Sequence, residues 1–186
     1  MYLCKNFQNF MVTFANENQK KEIYKMWKIC FNETDEWLDF YFSKRYKSEN
    51  TLIYVVNNNI VASLQMYPYL LKCYGQYIPI IYLCGICTLP EERNKGFSKK
   101  LLKMVDIIIK QKNIPISILI PSNENLFNFY EKFDYKQVFY KNNEKISLKQ
   151  ILDANTSLES SYKNFCQLFE NKDIIVWKSF EDFKII

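Results

Sequence analysis

One stretch constrains this chain more than any other. A nearly all-apolar run, Tyr77 to Leu89, meets Pro90 and re-emerges as an amphipathic helix. Such a run suits a strand covered on both faces. Beyond the turn, Phe97, Leu101, Val105, Ile108 and Ile109 recur at helical spacing until about Asn113. The connection reads Pro90-Glu-Glu-Arg93-Asn94-Lys95-Gly96-Phe97-Ser98, and Gly96 is one of only 3 glycines in the chain. Glycine permits a tight turn and a close approach of backbone to ligand. The helix start presents unpaired N–H groups and about half a positive charge, to which Arg93, Lys95 and Lys99 add. A pyrophosphate would fit there. Taken alone, R-x-x-G-x-S reads first as a basic helix start with no ligand.

The remaining pattern predicts an α/β fold. Phe10 to Phe14 is a candidate first strand. Glu17 to Cys30 carries Ile23, Met26, Trp27 and Cys30 at helical spacing, and a second helix begins with Asp35 as N-cap. Thr51 to Val56 and Ile60 to Tyr69 are β-rich runs around Asn57-Asn58-Asn59, a hairpin signal, and Gly75-Gln76 turns the chain again. Ile116 to Ile120 predicts a short buried strand, Asn125 to Phe133 a helix, and Tyr135 to Tyr140 another strand. Thr156-Ser-Leu-Glu159 is a capping-box pattern for a helix packing Leu158, Tyr162, Phe165 and Phe169, and Asp173 to Trp177 is a closing strand. The expected architecture is a mixed sheet with helices on both faces, in a single domain over 1–186.

Composition removes several chemistries. The chain has no His, which excludes Ser-His-Asp and Cys-His catalysis and any His-based metal site. Of 6 Cys, only Cys84 and Cys87 have metal-like spacing, and with no second pair they read as small core residues, so no metal is expected. The net charge of +5 is spread along the chain, which suits an anionic ligand but not nucleic acid. With no signal-like start and no apolar stretch of spanning length, a cytoplasmic protein with no membrane association is expected.

The turn gains its meaning from its neighbours. Arg93, Gly96 and Ser98 resemble motif A of the GNAT N-acetyltransferases, Q/R-x-x-G-x-G/A, at the turn from fourth strand to third helix. Ser98 replaces the usual Gly or Ala. The next landmark of that family also has its counterpart: strand Ile116 to Ile120, then Asn123, then Phe129-Tyr130-Glu-Lys-Phe-Asp134-Tyr135, with Asp134 in place of a glycine. Asp visits the left-handed region more readily than most residues. More narrowly, Trp27-Lys-Ile-Cys-Phe31, Arg45-Tyr46-Lys47, Val61-Ala-Ser-Leu-Gln65 and Ser179-Phe-Glu-Asp-Phe183 look like bacterial acetyltransferases of the enhanced-intracellular-survival type.

The resemblance implies transfer of an acetyl group from acetyl-coenzyme A to an amine by direct attack on the thioester. It implies pantetheine pairing with backbone around Ile86, Cys87 and Thr88. The remaining cofactor contacts it implies are Arg93, Asn94, Lys95, Gly96, Phe97, Ser98 and Asn123. Tyr130 matches the general acid that protonates the departing thiolate, and a phenol of pKa about 10 can do so. No base is evident. An alkylamine is only about 0.04% neutral at pH 7, a cost of roughly 4 to 5 kcal/mol. The strand from Tyr77 to Thr88 holds no acid, and Glu33, Asp35 and Glu36 read first as helix-start charges. A non-catalytic acyl-CoA-binding module is the alternative. The acceptor stays open between small-molecule amines, aminoglycosides, polyamines and protein lysines, and a homodimer is compatible with the reading.

Overall fold

The computed structural model describes residues 10–140, 151 and 157–185. Its elements are β1 (Phe10–Phe14), α1 (Lys20–Phe31), α2 (Asp35–Lys44), β2 (Thr51–Val56), β3 (Asn59–Cys73), β4 (Gln76–Thr88), α3 (Phe97–Gln111), β5 (Ile116–Leu119), α4 (Asn125–Glu131), α5 (Leu158–Glu170), β6 (Ile174–Trp177) and α6 (Phe180–Phe183). They form a six-stranded mixed sheet flanked by helices, in the order β1-β2-β3-β4-β5, with β6 pairing β3. The α/β expectation therefore holds.

Two compact units divide the chain, 1–67 with 81–120, and 68–80 with 121–186. In the first, β1, β2 and β3 pair antiparallel. The β2–β3 hairpin turns on Asn57 and Asn58, at φ 48 and 66. Two left-handed residues give the twist a two-residue hairpin needs, and Asn tolerates them. On one side of these strands the buried set is Ile23, Met26, Trp27, Leu38, Phe42 and Ile53, drawn from α1, α2 and β2. In α3, Phe97, Leu101, Val105 and Ile108 of the expected stripe are buried, Leu102 joins them, and Ile109 is half-buried.

The second unit has an aromatic core. Phe165 and Phe183 are buried, with ring centroids 5.4 Å apart, and Tyr162, Phe169, Phe180 and Trp177 pack around them. Residues Leu70 to Cys73 of β3 pair antiparallel with Trp177 to Ile174 of β6. Lys72 is buried there: its ammonium donates to the Glu170 carbonyl and lies over the Trp177 ring at 5.8 Å.

Several local expectations need correction. Thr34, not Asp35, caps α2: its extended backbone brings the hydroxyl to the Trp37 N–H at 3.2 Å. Asp35 turns instead to Lys28, whose ammonium donates at 2.6 Å. Tyr135 to Tyr140 is not a strand; Val138 and Tyr140 are 68% and 77% exposed, and alternation without a partner ladder makes none. The strand at Ile116 is half-buried rather than buried, because β5 ends the sheet order and has one neighbour. Ser157 caps α5 by accepting from the Ser160 N–H at 3.3 Å, and Leu158 is exposed rather than packed. Thr156 lies outside the described residues.

Candidate active site

The turn after β4 is built in three steps. Pro90–Glu92 forms a single 3-10 turn, with the Glu92 N–H donating to the Leu89 carbonyl at 2.9 Å. Asn94 and Gly96 then take left-handed backbone, φ 64 and 79. Gly96 is the N-cap of α3 and offers no side chain to its first N–H groups. A Cβ built on Gly96 would meet no atom within 4 Å, so the space over the helix start is open. The 15-residue helix thus starts with an exposed N-terminus whose first N–H groups no side chain caps.

The flanking side chains are tethered to the strand that feeds the turn. Arg93 Nε donates to the Thr88 carbonyl at 3.3 Å. The Thr88 and Ser98 hydroxyls lie 2.8 Å apart, joining the end of β4 to the first turn of α3. Lys95 is less free than its sequence position suggests, since it donates to Glu92 at 2.8 Å. Phe97 is buried, with its ring 4.6 Å from Tyr54, so the helix start is fixed from below. The first unit thus gathers Ile86, Cys87, Thr88, Arg93, Asn94, Lys95, Gly96, Phe97 and Ser98 along β4 and the turn that follows it. Cys87 is buried, and Ile86 and Thr88 are half-buried.

Asn123 and Tyr130 belong to the second unit. Asn123 is exposed, and its carbonyl accepts from the Leu126 N–H at 3.2 Å at the start of α4. Tyr130 is buried at 8% exposure, with its ring against Phe129 and Tyr135. Burial first, then the neighbouring Tyr135, pushes its phenol up to about 12. Asp134 closes the segment at φ 64, the left-handed conformation expected of it. Among the described residues the Tyr130 hydroxyl has no hydrogen-bond partner.

A buried polar cluster beside β4 escaped the sequence reading. The Tyr41 hydroxyl donates to Gln65 Oε1 at 2.5 Å, and the Tyr67 hydroxyl lies 2.8 Å from both that oxygen and the Arg45 carbonyl. Cys84 Sγ stands 3.7 Å from the Tyr41 hydroxyl. Burial drives the phenols of Tyr41 and Tyr67 far up and the Cys84 thiol to about 11, so all three stay protonated near neutrality. The cluster donates hydrogen bonds but cannot remove a proton. Gln65 is 0% exposed, and a glutamine inside the β-rich run Ile60 to Tyr69 was the one available signal. The expected base candidates, Glu33, Asp35 and Glu36, are all exposed.

Comparison with known proteins agrees with this geometry. A family model described as an acetyltransferase (GNAT) domain matches residues 12–138. No curated protein matches in sequence. Among solved structures, a probable N-acyltransferase from Enterococcus faecalis V583 superposes with a TM-score of 0.62 at 16% identity, over 70% of this chain and 33% of that one. A GNAT family acetyltransferase from Brucella melitensis in complex with acetyl-CoA gives 0.57 at 12%, over 69% and 84%. An aminoglycoside acetyltransferase from an uncultured soil metagenomic sample gives 0.56 at 15%, over 75% and 99%. The chain therefore spans about a third of the Enterococcus protein's length. No helix among the described residues is long and apolar enough to cross a membrane.

Proposed function

The chain belongs to the GNAT acetyltransferase family, and on that premise we propose that it moves an acetyl group from acetyl-coenzyme A to an amine. The observation that carries the reading is the open, left-handed Gly96 at the uncapped start of α3. Its first-turn N–H groups hold the pyrophosphate, and Arg93 and Lys95 add charge beside it. Backbone at Ile86, Cys87 and Thr88 pairs with the pantetheine arm, and Asn94, Phe97, Ser98 and Asn123 complete the cofactor contacts. Bound acetyl-CoA supplies the thioester that the amine attacks directly.

Tyr130 holds a proton for the departing thiolate. Raised to about 12, the phenol stays neutral and keeps its proton across the working range, so it has one to give to the leaving sulfur. The amine proton leaves through water, since the buried cluster at Gln65 has only protonated phenols and a thiol to offer. Within the family we place the chain nearest the enhanced-intracellular-survival type. Trp27, Arg45 and Gln65 of the matching segments all lie around the buried cluster. Aminoglycosides, polyamines, other small amines and protein lysines all suit the reading, as do a cytoplasmic setting and a homodimer.

Calorimetry with acetyl-CoA tests the binding step, and thiol release across a broad amine panel tests the transfer. Saturable binding with turnover on at least one amine is expected. Tight binding with no turnover across the panel would favour a regulatory acyl-CoA-binding module. No binding at millimolar acetyl-CoA would overturn both.

A further inference from the structure

A groove opens on the first unit, and none of the residues assigned to acetyl-CoA lines it. It holds about 440 Å³ between α1, the β2–β3 hairpin and the 3-10 turn after β4. Small-molecule sites measure roughly 300–1,000 Å³. Its apolar surface comes from Met26, Ile29, Ile60 and Leu89. Met26 and Ile60 are buried, whereas Ile29 is 59% exposed and leaves an apolar edge for a ligand to cover. Charges of both signs stand beside this surface, from Glu22 and Lys25 on α1 and Glu91 on the turn. Glu22 Oε1 accepts from the Ile60 N–H at 2.8 Å, which fixes that carboxylate against the hairpin. Lys25 and Glu91 have no hydrogen-bond or ion-pair partner among the described residues. Glu92, which also lines the groove, is taken by Lys95 at 2.8 Å.

We infer that the groove binds a free α-amino acid with an apolar side chain, in its zwitterionic form. The ligand's ammonium lies between Glu22 and Glu91, its carboxylate meets Lys25, and its side chain covers Ile29 and Leu89. Only a ligand carrying both charges matches all three groups. A simple alkylamine would pair with the glutamates but bring a like charge beside Lys25. A carboxylate alone would meet two glutamates for one lysine. Each mismatch costs affinity, because like charges brought together across a binding surface repel. Burial of the ligand's side chain on the apolar lining sets a preference for leucine-like over polar amino acids. The site stands whether or not the chain transfers acetyl groups. Arg93 to Gly96 follow Glu92 in the chain, so an occupied groove rests against the segment that forms the cofactor turn.

L-leucine is the probe, titrated into the full chain near neutral pH and read by calorimetry and by amide chemical shifts. Saturable binding is expected, with the largest shifts at Glu22, Lys25, Ile29, Leu89 and Glu91. Isoamylamine, which lacks the carboxylate, and 4-methylpentanoate, which lacks the ammonium, should each bind at least about tenfold more weakly. Lys25→Met and Glu91→Gln change exposed side chains, and each should weaken leucine by a similar factor. Lys25→Met should also close the gap between leucine and isoamylamine. Leucine that fails to bind at tens of millimolar, shifts other residues most, or binds no better than isoamylamine would overturn the assignment.

Discussion

The Trp27 indole lies directly against Gly85: a Cβ built on that glycine would stand 2.1 Å from Trp27 Cζ2. Gly85 also takes left-handed backbone, φ 58, within β4, where the Trp27 ring of α1 lies against it. Two separate demands therefore require glycine, left-handed backbone and the absence of a side chain. Gly85→Ala should cost about 3 kcal/mol or more in urea unfolding, from overpacking and backbone strain together. A loss below about 1 kcal/mol would mean that the indole moves aside freely.

Thr88 and Ser98 should be coupled. Their 2.8 Å hydrogen bond is the side-chain link between the end of β4 and the start of α3. Ser98→Ala and Thr88→Val should each cost about 1 kcal/mol. The double variant should cost less than the sum, and full additivity would show that the bond carries no stability.

Stability should depend on pH through Cys30. Its folded value is about 7 against an ordinary 9.0, so the folded state favours its thiolate. That contribution is complete above pH 9 and is lost as pH falls through 7. Cys87, raised well above 9.0, opposes the trend only above pH 9, and Arg93 and Glu91 are the charges that bear on the Cys30 thiolate. The melting temperature of wild type relative to Cys30→Ser should therefore rise between pH 7 and 9. A flat difference would contradict the lowered Cys30 value.

Much of this was legible in the chain itself. The apolar β4 run, the period change at Pro90 and the stripe on α3 announce a strand–turn–helix unit, and Asn57-Asn58 announces the hairpin. The Arg93, Gly96 and Ser98 spacing marks the turn at which the structure opens the backbone over α3. Other features depend on what comes into contact. Tyr135 to Tyr140 alternates like a strand, yet pairing decides, and it has no ladder. Gln65 looks like an exception in β3 until Tyr41 and Tyr67 converge on it. Cys30 and Cys87 pack in one apolar group although far apart in the chain, which no local pattern could reveal.

The pH profile of turnover should bear the mark of Tyr130. Held at about 12, its phenol keeps its proton through pH 10. Turnover should then climb with pH as more amine becomes neutral, with no alkaline fall below that point. A fall centred near pH 8 or 9 would assign the proton donor to a different group.

Thiol release from acetyl-CoA by wild type and by Tyr130→Phe, measured together with acetyl-CoA affinity, tests the account most directly. The substitution removes one oxygen and keeps the ring that packs against Phe129 and Tyr135. Affinity should stay near wild type, because the pyrophosphate and pantetheine contacts are assigned to other residues. Turnover should fall by roughly 10²–10⁴-fold. Unchanged turnover in the folded variant would contradict the role given to Tyr130, and a wild-type chain that neither binds acetyl-CoA nor releases thiol would contradict the function itself.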